Sequence, residues 1–237
     1  MKADSGLIRV AILDDHQGII DGYLYRFSKS PDIEVVATIR YGEELEPTLE
    51  QSQVDVLILD VQVPISAGDK NPFPILYVLP KIIKAYPSLS ILVITMHAQR
   101  SLIKALLEAG VNGYILKEDQ TSIRNLASII RLVAEGEMYM SQSVTQLLIS
   151  SQPSDFTQPL SPRQLEALAL CAAYPNDSTL ALADRMEIES STMRNLLSGA
   201  YLKLGVRTRA AAIMKAQKMG LIPSQSDSMN FTLGVKE

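Results

Sequence analysis

The chain has 237 residues, of which 47% are hydrophobic and 20% charged, the balance of a soluble globular protein rather than a disordered or low-complexity one. Residues 1–159 carry 13 Lys/Arg against 19 Asp/Glu, whereas residues 160–222 carry 8 against 5, so an acidic front precedes a mildly basic back. One cysteine (Cys171) and two histidines (His16 and His97) exclude an intrachain disulfide, a thiolate zinc site and a multi-histidine metal centre. The longest apolar run, Ala167 to Tyr174, is far short of a membrane span, and the N-terminus leads into no signal-like apolar core. These features predict a cytoplasmic protein of two modules with no membrane partner.

Five short apolar runs open the chain: Ile8–Leu13, Ile33–Ile39, Val54–Leu59, Ile91–Ile94 and Gly113–Leu116. Segments of helical period lie between them. Ile19, Ile20, Tyr23, Leu24 and Phe27 share one helix face, as do Leu102, Ile103, Leu106 and Leu107, and then Ile123, Leu126, Ile130 and Val133. Such alternation predicts an α/β domain over residues 1–140, with a five-stranded parallel sheet covered on both faces. Residues 141–159 are polar and rich in Ser and Pro, which predicts a linker. Ser161-Pro162-Arg163-Gln164 then reads as a helix start with a capping box. Four helices are expected at about 162–173, 178–186, 190–204 and 208–219, an all-α domain over 160–222. Residues 223–237 read as a flexible tail.

In an open α/β sheet, chemistry collects beyond the carboxyl ends of the strands. Here those ends carry Asp14 and Asp15, Asp60, Thr95 and Lys117. Carboxylates brought together repel unless a cation relieves them, and a hard divalent ion such as Mg²⁺ suits an oxygen-rich set. A carboxylate with a metal, a lysine and a threonine around it meets the needs of a phosphoryl acceptor, because charge on the transferring group is then stabilised.

The segments Val10-Ala-Ile-Leu-Asp-Asp-His16, Val56-Leu-Ile-Leu-Asp-Val-Gln-Val-Pro64, Val93-Ile-Thr-Met-His97 and Gly113-Tyr-Ile-Leu-Lys117 resemble the receiver domain of bacterial two-component response regulators. The resemblance implies a flavodoxin-like strand order and phosphorylation of Asp60 by a sensor histidine kinase. It implies that Mg²⁺ is held by Asp14, Asp15, Asp60 and the backbone carbonyl of Gln62. Thr95 and Lys117 would hold the phosphoryl group, and Tyr114 matches the family's switch aromatic; its plainer reading is a half-buried strand tyrosine. Four departures stand out, the first being Gln17 where this subfamily usually has proline. Val63 replaces a usual methionine, the 65–74 segment is longer than expected, and Pro80 predicts a kink or late start in the third helix.

The run Leu182 to Ile188, Ser190 to Ser198 and Tyr201 to Arg209, with Lys218-Met-Gly-Leu-Ile222, resembles the LuxR-type helix-turn-helix of the NarL/FixJ class. That resemblance places the helix over 190–204 in the major groove of double-stranded DNA. Arg194 and Asn195 are the base-contact candidates, and Lys203, Arg207 and Arg209 the phosphate-contact candidates. Met193, Leu197, Tyr201 and Leu204 are expected in the core. Glu187 stands where the class usually turns on glycine and Glu189 at a usual Ser cap, for which Ser190 is the substitute. Leu196 replaces a usual polar residue and offers an apolar contact to thymine methyls. The combined reading is a transcription-controlling response regulator, not an enzyme, homodimeric when phosphorylated. The alternative is a protein-interaction adaptor with weak DNA binding. A haloacid-type phosphatase is disfavoured, because that chemistry wants an acid where Gln62 stands.

Overall fold

The computed structural model describes residues 6–150 and 160–224. The first domain alternates strand and helix as the periodicity requires: β1 (Ile8–Leu13), α1 (Gln17–Phe27), β2 (Ile33–Ile39), α2 (Leu45–Gln51), β3 (Val56–Leu59), α3 (Ile75–Ala85), β4 (Ser90–Thr95), α4 (Arg100–Ala109), β5 (Gly113–Leu116), α5 (Gln120–Arg124), α6 (Leu126–Ala134), β6 (Tyr139–Met140) and α7 (Gln142–Ile149). All pairings between named strands are parallel, in the order β2-β1-β3-β4-β5-β6. The sheet thus has six strands rather than five. The sixth has only two residues, Tyr139 and Met140, opposite Gly113 and Tyr114, too short to leave a periodic signal.

Alternate residues of each strand face opposite layers. Val10, Ile12, Ile58, Leu92, Ile94 and Ile115 pack against Ile20, Tyr23 and Phe27 of α1 and Leu126, Ile130 and Val133 of α6. Ala11, Leu13, Leu57, Leu59, Ile91 and Val93 face α2, α3 and α4. Truncating one of these buried Leu or Ile side chains to alanine costs about 2–5 kcal/mol.

One expectation fails here. The 141–159 segment is not a linker throughout. Residues 142–149 form α7, which packs on β5 with Val144 fully buried. Its polar composition belongs to the outer face of an amphipathic helix; residues 151–159 lie outside the described residues. Pro80, where a kink or late start was expected, lies inside the third helix, which begins at Ile75 and runs on through it to Ala85. The missing amide costs about 3 kcal/mol, and burial of Leu76, Val78, Leu79 and Ile82 offsets it. The long 65–74 segment folds back on itself. Pro64 bridges Pro72 in antiparallel fashion, Ile65 N donates to Asn71 O, and Phe73 N donates to Val63 O. Phe73 lies against Gly42, where any side chain would collide with its ring.

The second domain comprises α8 (Pro162–Ala173), α9 (Thr179–Arg185), α10 (Ser190–Leu204) and α11 (Arg209–Lys218), within a residue of the predicted spans. The predicted capping box at Ser161 and Gln164 is formed. Ser190 does not cap α10: the cap position is Glu189, which makes no side-chain bond there. Glu187 has φ 54°, the only positive φ outside glycine among the described residues. Glu187 N donates to Asp184 O and Ile188 N to Ala183 O, a Schellman closure of α9. A left-handed non-glycine residue costs roughly 1–2 kcal/mol. Leu196 is partly buried and packs at the edge of the core. Met193, Leu197 and Leu204 are buried, with Tyr201 packed against them, as expected. The 223–237 tail lies outside the described residues apart from Pro223 and Ser224.

Candidate functional site

The sheet register assembles the pocket. Leu13 pairs with Leu59, so the next residues, Asp14 and Asp60, leave adjacent strands side by side at the reversal in strand order. Asp60 N donates to Leu13 O at 2.8 Å, and Lys117 N donates to Thr95 O at 2.9 Å, which extends the ladder one step past the strands. All four ends therefore meet at one edge.

Lys117 Nζ lies 2.6 Å from Asp14 Oδ2 and 2.6 Å from Asp60 Oδ2. Asp14 and Asp60 are only 1% and 5% exposed, so these pairs are little screened by water. Burial pushes the Asp14 carboxyl above its usual range, against the Lys117 ammonium and with the charge of Asp60. Burial acts to lower the pKa of Lys117, but Asp60 and Asp14 outweigh it and hold the ammonium above its usual range. The second oxygen of Asp60 accepts from Gln62 N at 3.1 Å, and Asp14 Oδ1 accepts from His16 N at 3.0 Å. Asp15 sits beside His16, with His16 Nδ1 2.7 Å from Asp15 Oδ1. Ligand atoms of Asp14, Asp15 and His16 lie within 4.8 Å of one another. This oxygen-dominated donor set fits a hard divalent cation.

Thr95 is fully buried, its hydroxyl 3.5 Å from His97 N. Tyr114 is not half-buried: its ring is wholly inside, and its hydroxyl donates to His97 O at 2.7 Å. Burial pushes its phenol pKa upward. Sequence reasoning gave His97 no role, yet it links these parts. Its Nε2 is 2.6 Å from Gln62 Oε1 and its Nδ1 3.3 Å from Gln99 Oε1. Burial holds the imidazole below its usual range, against the pull of Asp60. The one available signal was position, two residues past Thr95.

In the helical domain the candidates do not converge. Arg194, Asn195 and Arg207 are exposed. Lys203 is half-buried, with its ammonium 3.1 Å from Gln164 Oε1. Arg209 points inward, its guanidinium donating to Asp177 O and Thr179 Oγ1 across to the start of α9. These two bonds give Arg209 a bracing role within the domain beside its expected phosphate contact.

Residues 10–130 match the family model of the response regulator receiver domain. The chain belongs to that family. Among similar proteins, the transcriptional regulatory protein DegU of Brevibacillus brevis is 26% identical, over 93% of this chain and 98% of its own length. The oxygen regulatory protein NreC of Staphylococcus epidermidis is 29% identical, over 91% and 99%. A solved complex of the response regulator RcsB with DNA is 26% identical, with TM-score 0.55 over 89% of this chain and 98% of that one. RcsB of Salmonella enterica serovar Typhimurium, bound to a promoter in the presence of BeF3⁻, is 25% identical, with TM-score 0.56 over 88% and 97%. The likeness spans both domains, so the chain is a two-component response regulator of the NarL/FixJ type. Among the described residues no helix is long and apolar enough to cross a membrane.

Proposed function

We propose that this response regulator accepts a phosphoryl group on Asp60 from a sensor histidine kinase and controls transcription by binding double-stranded DNA as a homodimer in the cytoplasm. The observation that carries the first half is the lysine bridge, Lys117 Nζ at 2.6 Å from both Asp14 and Asp60. It holds a buried carboxylate beside a fixed cation, the arrangement that phosphoryl transfer needs. A carboxylate oxygen of Asp60 attacks the phosphorus of a phosphohistidine. The new O–P bond forms as the P–N bond breaks, and the leaving imidazole nitrogen keeps that electron pair. Lys117 balances charge on the equatorial oxygens, and the buried Thr95 hydroxyl donates to one of them. Asp14, Asp15, Asp60 and the carbonyl of Gln62 would hold Mg²⁺, which supplies the remaining counter-charge when bound.

The second half rests on α10. Its residues Arg194 and Asn195 face solvent, side by side near the helix start, where a groove-reading helix makes base contacts. Arg suits guanine and Asn adenine. Lys203, Arg207 and Arg209 remain phosphate candidates. The adaptor reading has less behind it, since relatives along nearly the whole length are named a transcriptional regulatory protein and an oxygen regulatory protein.

The test is a paired one. With Mg²⁺ and a small phosphodonor, the chain gains one acyl phosphate, and Asp60→Asn does not. Labelled protein then binds DNA fragments more tightly than unlabelled protein. Undiminished labelling of Asp60→Asn places the acceptor elsewhere. Equal DNA affinity with and without label means the receiver does not govern DNA binding.

A further inference from the structure

Two departures of the sequence from its class, Glu187 in the helix-turn-helix turn and the long 65–74 loop, meet at one surface. We infer that they are the two halves of an interdomain latch, which holds the turn before α10 to the receiver through Lys81 and Tyr77 of α3.

The Glu187 half is visible in three contacts. Glu187 occupies a left-handed position that suits glycine, and its carboxylate lies 3.4 Å from Lys81 Nζ. Lys81 Nζ also lies 2.5 Å from the Tyr77 hydroxyl. That hydroxyl donates to the carbonyl of Arg185, the last residue of α9. The final carbonyls of a helix lack partners within it, so a receiver side chain here caps a helix of the other domain. A glutamate needed only for solvation would gain nothing from a strained backbone. One that reaches the receiver has a reason to be there.

The loop half lies beside it. Asn71 and Pro72 wall a cleft of about 270 Å³ with Ala172, Pro175, Ile213 and Gln217 of the helical domain. Phe73, Pro74 and Tyr77 wall a larger one, about 490 Å³, with Leu170, Tyr174 and Arg185. The chain between Val63 and Phe73 is tied by its own antiparallel bonds, so it presents Asn71 and Pro72 as a formed edge. The surface then continues to the acceptor pocket. The Ser101 hydroxyl faces the carbonyls of Met219 and Gly220, and Gln62, two residues past Asp60, reaches Ser224. Gly220 has room only for hydrogen, because Gln99 fills the place of a side chain.

The pair is exposed, with Glu187 81% and Lys81 47% accessible, so the expected effect is modest. Nitroxide labels at Ser88 and Asp184 of the full-length chain, in a Cys171→Ala background, read the distance between the domains. The parent should show one docked distance. Glu187→Gly and Lys81→Glu should each lower the docked-to-undocked ratio about two- to fivefold. The charge swap, Lys81→Glu with Glu187→Lys, should restore it. Glu187→Gly should also raise the melting temperature while it loosens docking, since strain is relieved and the latch is lost. A residue with only a local turn role raises the melting temperature and leaves the distance unchanged. The inference is overturned if the parent shows no docked distance, if both single variants keep the parent distribution, or if the swap stays as loose as Lys81→Glu.

Discussion

The acceptor pocket and the reading helix were picked out by the same kind of signal, polar residues in suggestive positions, and the structure treats them oppositely. In the pocket, Asp14, Asp60, Thr95 and Lys117 all turn inward to one edge, and three of them share charge over 2.6 Å contacts. On the helical domain, Arg194, Asn195 and Arg207 point to solvent while Arg209 reaches inward to Asp177 and Thr179. The difference lies in what fixes the backbone. A hydrogen-bonded parallel ladder sets the relative height of neighbouring strand ends, so a residue one past a strand has a determined place. A cation on a short helix has no such constraint. Whether it serves a ligand or its own fold is decided by neighbours far away in sequence.

The sharpest break of this comparison is Asp60→Asn, for which complete loss of acyl phosphate is expected by gel or mass analysis. Next is Lys117→Met. It leaves two buried carboxylates without their cation, a loss of about 3–5 kcal/mol in urea unfolding. A loss near zero would show that the pocket tolerates repulsion and that the bridge is not structural. Arg209→Ala and Arg194→Ala probe the other region as a pair. Arg209→Ala should cost about 1 kcal/mol of stability, because two partly buried acceptors lose their donor. Arg194→Ala should leave stability unchanged and cost about 1–3 kcal/mol at one base position in DNA titrations. Exchange of those two outcomes would reverse the roles assigned to them.

Alkaline pH gives a subtler test. Lys117 has a folded pKa raised above its ordinary 10.5. Its contribution to stability is therefore fully present below about pH 10.5 and is lost as pH rises through the higher folded value. Asp14, also raised, works in the same direction at low pH: its burial penalty is absent below the ordinary carboxylate range, grows as pH rises toward its folded pKa and is complete above it. Stability measured from pH 8 upward should fall at the alkaline end in the parent and lose that leg in Lys117→Met. The smallest effect belongs to Tyr114→Phe, which removes one hydrogen bond to His97 O, worth about 1 kcal/mol. A melting temperature equal to the parent's would show that the ring, not its hydroxyl, holds the inward position.

The sequence by itself determined the five principal strands, the amphipathic helices between them and the four helices of the second domain. Each is set by local periodicity, capping and turn chemistry, as at Ser161 and Gln164. It also determined the pocket, because strand ends in a parallel sheet need only their order and register to meet. The short sixth strand and α7 escaped it, since two residues make no pattern and a polar helix face reads like a linker. Only the tertiary structure decided that Tyr114 lies wholly inside, that His97 joins Gln62 to the threonine loop, and that Arg209 braces α9. It alone brought Glu187 to Lys81. These are pairings between residues from 17 to more than 100 positions apart, and their partners are chosen by packing of whole elements, which no local signal encodes.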